Sequence, residues 1–132
     1  MILLDRAIAY DETSLVAAVT ITSDSLFLHP EGVPGHVGFE YMAQACGAYA
    51  GAHALDARGK VKIGMLLGSR DFRVTVPWFQ RGDHLLIVVE LIFRDDPMTA
   101  FASRITIDGK IIASAQLKLY QADNSILPQP EN

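Results

Sequence analysis

The residues best suited to acid–base chemistry crowd into one stretch of the chain: His29, His36 and Glu40, with Gln44 one helical turn beyond Glu40. Between His29 and the start of a helical pattern lie Pro30, Glu31, Gly32, Val33, Pro34 and Gly35, a loop rich in turn formers. Pro34-Gly35 lets backbone N–H groups face outward where the helix begins, and the helix N-terminus adds a positive end. Such a place suits a carbonyl oxygen on which negative charge develops. Glu40 falls in about the first turn of an otherwise apolar helix. Two readings stand for it: a carboxylate favoured by the helix dipole, or a partly buried carboxylate with catalytic duty. The residues alone leave both open. Gln44 shares the face of Glu40 and is placed to hold either Glu40 or a polar group of a substrate. His36 is a reserve candidate base, although a histidine at a helix start is commonly just solvated.

Other reactive residue types are set aside. His53, near the end of the helical pattern, reads as structural and favoured there by the dipole. His84 opens a strand. The four histidines lack the spacing of a zinc site and have no cysteine pair beside them, so no metal is expected. Cys46, in mid-helix without an adjacent base, reads as a small buried apolar residue. Gly32, Gly35 and Gly38 do not open a helix within a βαβ unit, so they are no dinucleotide fingerprint, and no cofactor is expected. Trp78 reads as a packed loop aromatic.

The elements that must position these groups are one helix and a set of strands. From Val37 to Leu55 the chain has no proline and much alanine, with Phe39, Met42, Cys46 and Tyr49 at spacings of three and four. Polar residues are scarce, which predicts a helix buried on most sides. Glycine costs a helix up to ~1 kcal/mol relative to alanine, so Gly47 and Gly51 suggest a packing reason. Leu15, Ala17, Val19 and Ile21 alternate with smaller or polar neighbours after a turn at Asp11-Glu12; Phe72, Val74 and Val76 alternate up to Pro77. Leu85 to Phe93 is apolar on both faces apart from Glu90 and reads as a central strand. A strand from Met98 to Ile107 meets Asp108-Gly109, a hairpin dipeptide. Beyond it Ile111, Ala113, Ala115, Leu117 and Leu119 alternate with Ser114, Gln116 and Lys118. One helix cannot cover both faces of a parallel sheet. The pattern therefore predicts an α+β fold, an antiparallel sheet wrapped around one long central helix, as a single domain over residues 1–121. Residues 122–132 are expected to form a frayed tail. Edge strands in such a sheet favour pairing with a second copy.

Composition sets bounds. Half of the 132 residues are apolar and a fifth are charged, as in a globular domain of ordinary size. A net charge of −4 argues against nucleic-acid binding. No apolar run reaches the ~20 residues of a membrane span. The opening Met1-Ile2-Leu3-Leu4 meets Asp5 and Arg6 at once and is not expected to be a secretory leader. With a single cysteine this favours a cytoplasmic setting.

The run from Val33 to Gln44 resembles the signature of the hotdog-fold 3-hydroxyacyl carrier-protein dehydratases. Its core P-G-x-x-x-x-E-x-M-x-Q is matched without a gap by Pro34, Gly35, Glu40, Met42 and Gln44. Met1 to Arg6 is similar to that family's opening strand, Leu66-Leu67-Gly68 with Phe72-Arg73-Val74 to its strand after the helix, and Pro77 with Gly82-Asp83 to a later turn. Gly64-Met65-Leu66-Leu67-Gly68-Ser69-Arg70 is similar to a strand of the dehydratase-like subfamily found with aryl-polyene pigment synthesis. Two departures stand out. His29 precedes Glu40 by only eleven positions, a shorter loop than the family's, and no phenylalanine follows it. Relatives usually carry a short segment before the strand that begins this chain, so either the start is truncated or the protein lacks it.

The resemblance implies a hotdog fold and loss of water from a 3-hydroxyacyl thioester held on acyl carrier protein, in fatty-acid or polyene synthesis. It assigns His29 as base and Glu40 as the acid that helps the hydroxyl leave, with Gly35 N–H on the thioester carbonyl and Gln44 and His36 beside the substrate. It also implies a homodimer, or a heterodimer with a related dehydratase, in which the histidine of one subunit faces the acid of the other. The acyl chain would lie along the small residues of the helix. Arg70, Arg73 and Arg81, with Lys60 and Lys62, are the expected patch for an acidic carrier. The alternatives are a non-catalytic hotdog subunit that pairs with an active dehydratase, and an acyl-thioester hydrolase in which Glu40 activates water.

Overall fold

Six antiparallel strands form one sheet against a single helix in the structure, a computed structural model that describes residues 2–56 and 63–122. The chain runs β1 (Arg6–Tyr10), β2 (Ser14–Thr20), a two-residue β3 (Val33–Pro34), a 3-10 turn (Gly35–Val37) and α1 (Gly38–Asp56). It continues with β4 (Ile63–Val74), a two-residue β5 (Trp78–Phe79), β6 (His84–Asp95), β7 (Met98–Ile107) and β8 (Lys110–Ala122). Sheet order is β1-β2-β6-β7-β8-β4, and β3 pairs with β5 apart from it. The α+β hotdog fold expected from the sequence is the fold observed.

Period-two burial sets the sheet's inner face. Leu15, Ala17 and Val19 of β2, Leu85, Ile87 and Val89 of β6, and Phe101 and Ile105 of β7 are buried. Against them α1 places Tyr41, Met42, Ala45, Cys46 and Tyr49. Phe39 is half-buried against Phe72, ring centroids 5.6 Å apart. Asp108 (φ 50°) and Gly109 (φ 80°) close the β7–β8 hairpin as that dipeptide predicts. At the other turn, Asp11 Oδ1 accepts from the N–H groups of Thr13 and Ser14. Those bonds hold its carboxyl below the usual range.

Four expectations change. Ile111 is exposed and Ile112 is buried, because the consecutive Ile105 and Thr106 of β7 pair with Ala113 and Ile111, which leaves Ile112 as the extra residue of a bulge in β8. β6 is central, yet only its odd positions are covered through Val89; Leu86, Ile92 and Phe93 are exposed on the outer side, where no layer packs among the described residues. The helix is not buried on most sides among the described residues: Gly47 is exposed, and a Cβ at Gly47 or Gly51 would meet nothing within 4 Å. Finally, the first strand starts at Arg6; Leu3 to Asp5 precede it, with Asp5 N–H donating to Ala18 O (2.9 Å). The tail after Ala122 lies outside the described residues.

Candidate active site

The loop carrying His29 is tied to β5. His29 and Gly32 exchange backbone hydrogen bonds of 2.8 and 3.0 Å. Gly32 adopts φ +130°, and a Cβ there would stand 2.3 Å from the Phe79 carbonyl oxygen, so only glycine fits. Val33 and Pro34 then pair with Phe79 and Trp78. The His29 ring tilts against Trp78, centroids 5.7 Å apart. Trp78, read from sequence as a packed loop aromatic, is the surface on which the candidate base rests.

The helix start is built as tightly. Gly35 is buried, and a Cβ on it would lie 2.4 Å from Val76 O and 3.0 Å from Val74 Cγ2. Its N–H donates to Pro77 O at 2.8 Å. The amide assigned to a thioester carbonyl is therefore spent inside the chain, which corrects that expectation. In a turn that begins at Gly35, only the amides of Gly35 and His36 precede the first intrahelical bond, so His36 N–H is next in line. At Gly38 a Cβ would sit 3.0 Å from Ile105 Cδ1 and 3.1 Å from Phe79 Cζ, seating the helix on the sheet.

Glu40 lies in the first turn of α1 and is exposed, while Tyr41 and Met42 turn inward. Helical spacing puts Gly47 and Gly51 on the same side as Glu40, so an open strip of small residues runs from the carboxylate along the helix. Gln44 Oε1 accepts from Leu3 N–H at 2.7 Å, which ties the helix to the segment before β1. Within one chain no hydrogen bond or ion pair joins His29 to Glu40 or His36, and His36 is exposed. The structure thus brings Pro34, Gly35, His36 and Glu40 to one helix start and leaves His29 on the adjoining loop.

The groups set aside stay apart from this site. Burial pushes the Cys46 thiol up to about 12, against a weak contact with Ser103 Oγ (3.8 Å), so it is no nucleophile at neutral pH. His53 Nε2 lies 2.7 Å from Asp11 O, with its ring beside Tyr49 (4.3 Å), and His84 Nδ1 lies 3.0 Å from Thr20 Oγ1. Burial and then the Asp5 charge raise Tyr41 to about 12. Sequence reasoning missed the segment from Val76 to Phe79, which receives Gly35 and Gly32. The only signal for it was an aromatic directly after the proline that ends an alternating run.

An antiparallel sheet wrapped on one long helix, with an acid in the first turn after a Pro-Gly step, is the arrangement of a hotdog-fold protein. The chain belongs to the ApeP-like family, whose model, described as ApeP dehydratase, matches residues 1–128. Among solved structures it is similar to a chain of the dehydratase heterocomplex ApeI:P from Xenorhabdus doucetiae. The identity there is 31% over 94% of this chain and 85% of that one, with TM-score 0.87. It shares its fold with a hypothetical thioesterase protein from Streptococcus pneumoniae solved with coenzyme A (15% identity, 89% and 84% covered, TM-score 0.71). The same holds for the E. coli PaaI protein (18%, 89% and 79%, TM-score 0.68). No curated protein matches the chain significantly. No helix among the described residues is long and apolar enough to cross a membrane.

Proposed function

We propose that this dehydratase-family chain acts on 3-hydroxyacyl thioesters carried by acyl carrier protein, in fatty-acid or aryl-polyene synthesis, as one subunit of a dimer. The observation that carries the reading is the exposed Glu40 carboxyl at a helix start whose strip of small residues lies open beside it. A base takes the proton from C2, acidified by the neighbouring thioester carbonyl. The electron pair left behind forms the C2–C3 double bond, and the C3–O bond breaks. The leaving hydroxyl takes a proton from Glu40 and departs as water. The carbonyl oxygen, more negative in the transition state, accepts a hydrogen bond from His36 N–H, since Gly35 N–H is committed to Pro77. His29 is the base, facing Glu40 of the other subunit. The acyl chain runs past Gly47 and Gly51.

The partner subunit is a second copy or a related dehydratase, and the ApeI:P heterocomplex supports the second choice. One observation favours a non-catalytic role for this chain: its candidate base sits on a shortened loop with its ring against Trp78. Turnover decides between the two. The chain, alone and with a related subunit, is incubated with 3-hydroxyacyl carrier protein, and the product is read by mass. Enoyl product that falls by ~10²-fold or more in both Glu40→Gln and His29→Ala supports the assignment. Full activity in Glu40→Gln overturns it; full activity in His29→Ala alone moves the base to His36 or to the partner. Free acid as product would make the protein a hydrolase.

A further inference from the structure

A hollow of about 230 Å³ opens where the segment before β1 and the turn after β2 meet the first turn of α1. Ile2, Leu3, Val19 and Leu26 give it apolar walls, and Asp5, Asp24 and Tyr41 bring polar groups to it. The smaller hydroxyls on its rim are already engaged within the chain. Thr22 Oγ1 accepts from Asp24 N–H at 3.2 Å, Ser25 Oγ accepts from Thr22 N–H at 2.8 Å, and Thr20 Oγ1 lies 3.0 Å from His84 Nδ1. The carboxylates keep capacity to spare. Asp5 Oδ2 accepts from Thr20 N–H at 2.7 Å, yet neither Asp5 nor Asp24 makes an ion pair among the described residues. No lysine or arginine among the described residues lines the hollow.

Tyr41 calls for an occupant independently of these carboxylates. It is only 2% exposed, with its ring tilted on Phe79 at a centroid distance of 6.1 Å. Its hydroxyl makes no hydrogen bond among the described residues and yet is not sealed off, so the little surface that Tyr41 keeps opens onto the hollow. A polar group set this deep normally has a partner. The Asp5 charge acts on the same hydroxyl, which places the two at one wall.

We infer that this hollow binds an organic cation, a primary ammonium or guanidinium group on a short apolar stem. Its N–H donors go to the Asp5 and Asp24 carboxylates and to Tyr41 Oη, and its stem lies on Ile2, Leu3 and Leu26. A bare metal ion fits less well. Hard cations take six or more oxygens, and no three His, Cys, Asp or Glu side chains gather among the described residues. The cation comes as a free small amine or as a lysine or arginine side chain of a partner subunit; the chemistry that recognises it is the same. None of the residues lining the hollow is a candidate of the active site, so the site stands whatever the thioester. Tyr41 follows Glu40, and Leu3 N–H is held by Gln44 Oε1, so an occupant lies against the turn that carries the candidate acid.

Amide NMR shifts of the full chain read the binding of n-butylguanidinium and n-butylammonium, with n-butylurea as the neutral isostere. The expected result is saturable shifts at Leu3, Asp5, Thr22 and Ser25 with the cations, about tenfold or more tighter than with the urea. Tyr41→Phe removes the hydroxyl alone and should weaken binding about threefold or more, and Asp24→Asn about tenfold. Because the hydroxyl has no partner in the free chain, the urea midpoint of Tyr41→Phe should match the wild type. A lower midpoint gives the hydroxyl a role in holding the fold and overturns the proposal. Equal affinity for n-butylurea, unchanged affinity in both variants, or the same shifts with Mg²⁺ or Ca²⁺ alone also overturn it. Adding a related dehydratase subunit separates the sources, and both outcomes support the site. Displacement of n-butylguanidinium identifies a basic side chain of that subunit, and retained binding in the complex identifies a free amine.

Discussion

Replacing Gly35 by alanine tests how the helix start is held, because the added Cβ meets backbone and not a side chain that can swing aside. It would lie 2.4 Å from Val76 O, about 1 Å short of ordinary contact, and 3.0 Å from Val74 Cγ2. Relief requires the 74–77 segment to move, which stretches the 2.8 Å bond from Gly35 N–H to Pro77 O. Overpacking of this kind costs ~1–3 kcal/mol and the lost hydrogen bond ~0.5–1.5 kcal/mol. Alanine returns ~0.4–1 kcal/mol by restricting the unfolded chain. The net loss is about 2–3 kcal/mol, roughly 5–12 °C in Tm for a domain of this size. Urea unfolding followed by circular dichroism measures it, at one fixed protein concentration because assembly shifts the midpoint. A loss below about 0.5 kcal/mol, the range of a bland surface change, would refute the account of Gly35 as a glycine required by close approach.

Two further outcomes follow from burial and from the open helix face. Tyr41 is raised from 10.0 and Cys46 from 9.0, both to about 12, chiefly by burial. The folded chain therefore holds these protons more tightly than the unfolded one. Their stabilising effect is complete below pH ~9 and is lost as pH climbs to ~12, so the urea midpoint should fall across that window; a constant midpoint would contradict it. Gly47→Phe fills the strip beside α1, and turnover of long 3-hydroxyacyl substrates should fall relative to short ones. An unchanged ratio would place the acyl chain elsewhere.

Which parts of this were legible depended on range. Leu15, Ala17, Val19 and Ile21 declared one face of a strand by alternation alone, and Asp108-Gly109 declared a hairpin, since both signals are local. Ile111 and Ile112 are adjacent and alike, so only the bulge that their own strand makes against β7 decides which one is buried. Glu40 stood out as a carboxylate in an apolar helix, whereas the commitment of Gly35 N–H to Pro77 depends on a strand end brought across by β4. For the basic patch, Arg70 and Arg73 were found in sequence. Lys118 joins them through the register of β8, Arg81 lies in the turn between β5 and β6, and Lys60 and Lys62 fall outside the described residues.

The sheet order also bears on how the chain reaches this state. β6, β7 and β8 are consecutive hairpins, so their pairing closes short loops at small entropic cost. β2 must find β6 across the whole helix, and β4 must find β8 across β6 and β7, contacts of the kind that slow folding. The meander is thus the cheapest part of the sheet to form, and β4 joins it from a distance. The carbonyls of Val76 and Pro77 that shape the helix start follow directly on that late strand. A chain with its meander formed and β4 undocked would keep most of its strand content and have no assembled site.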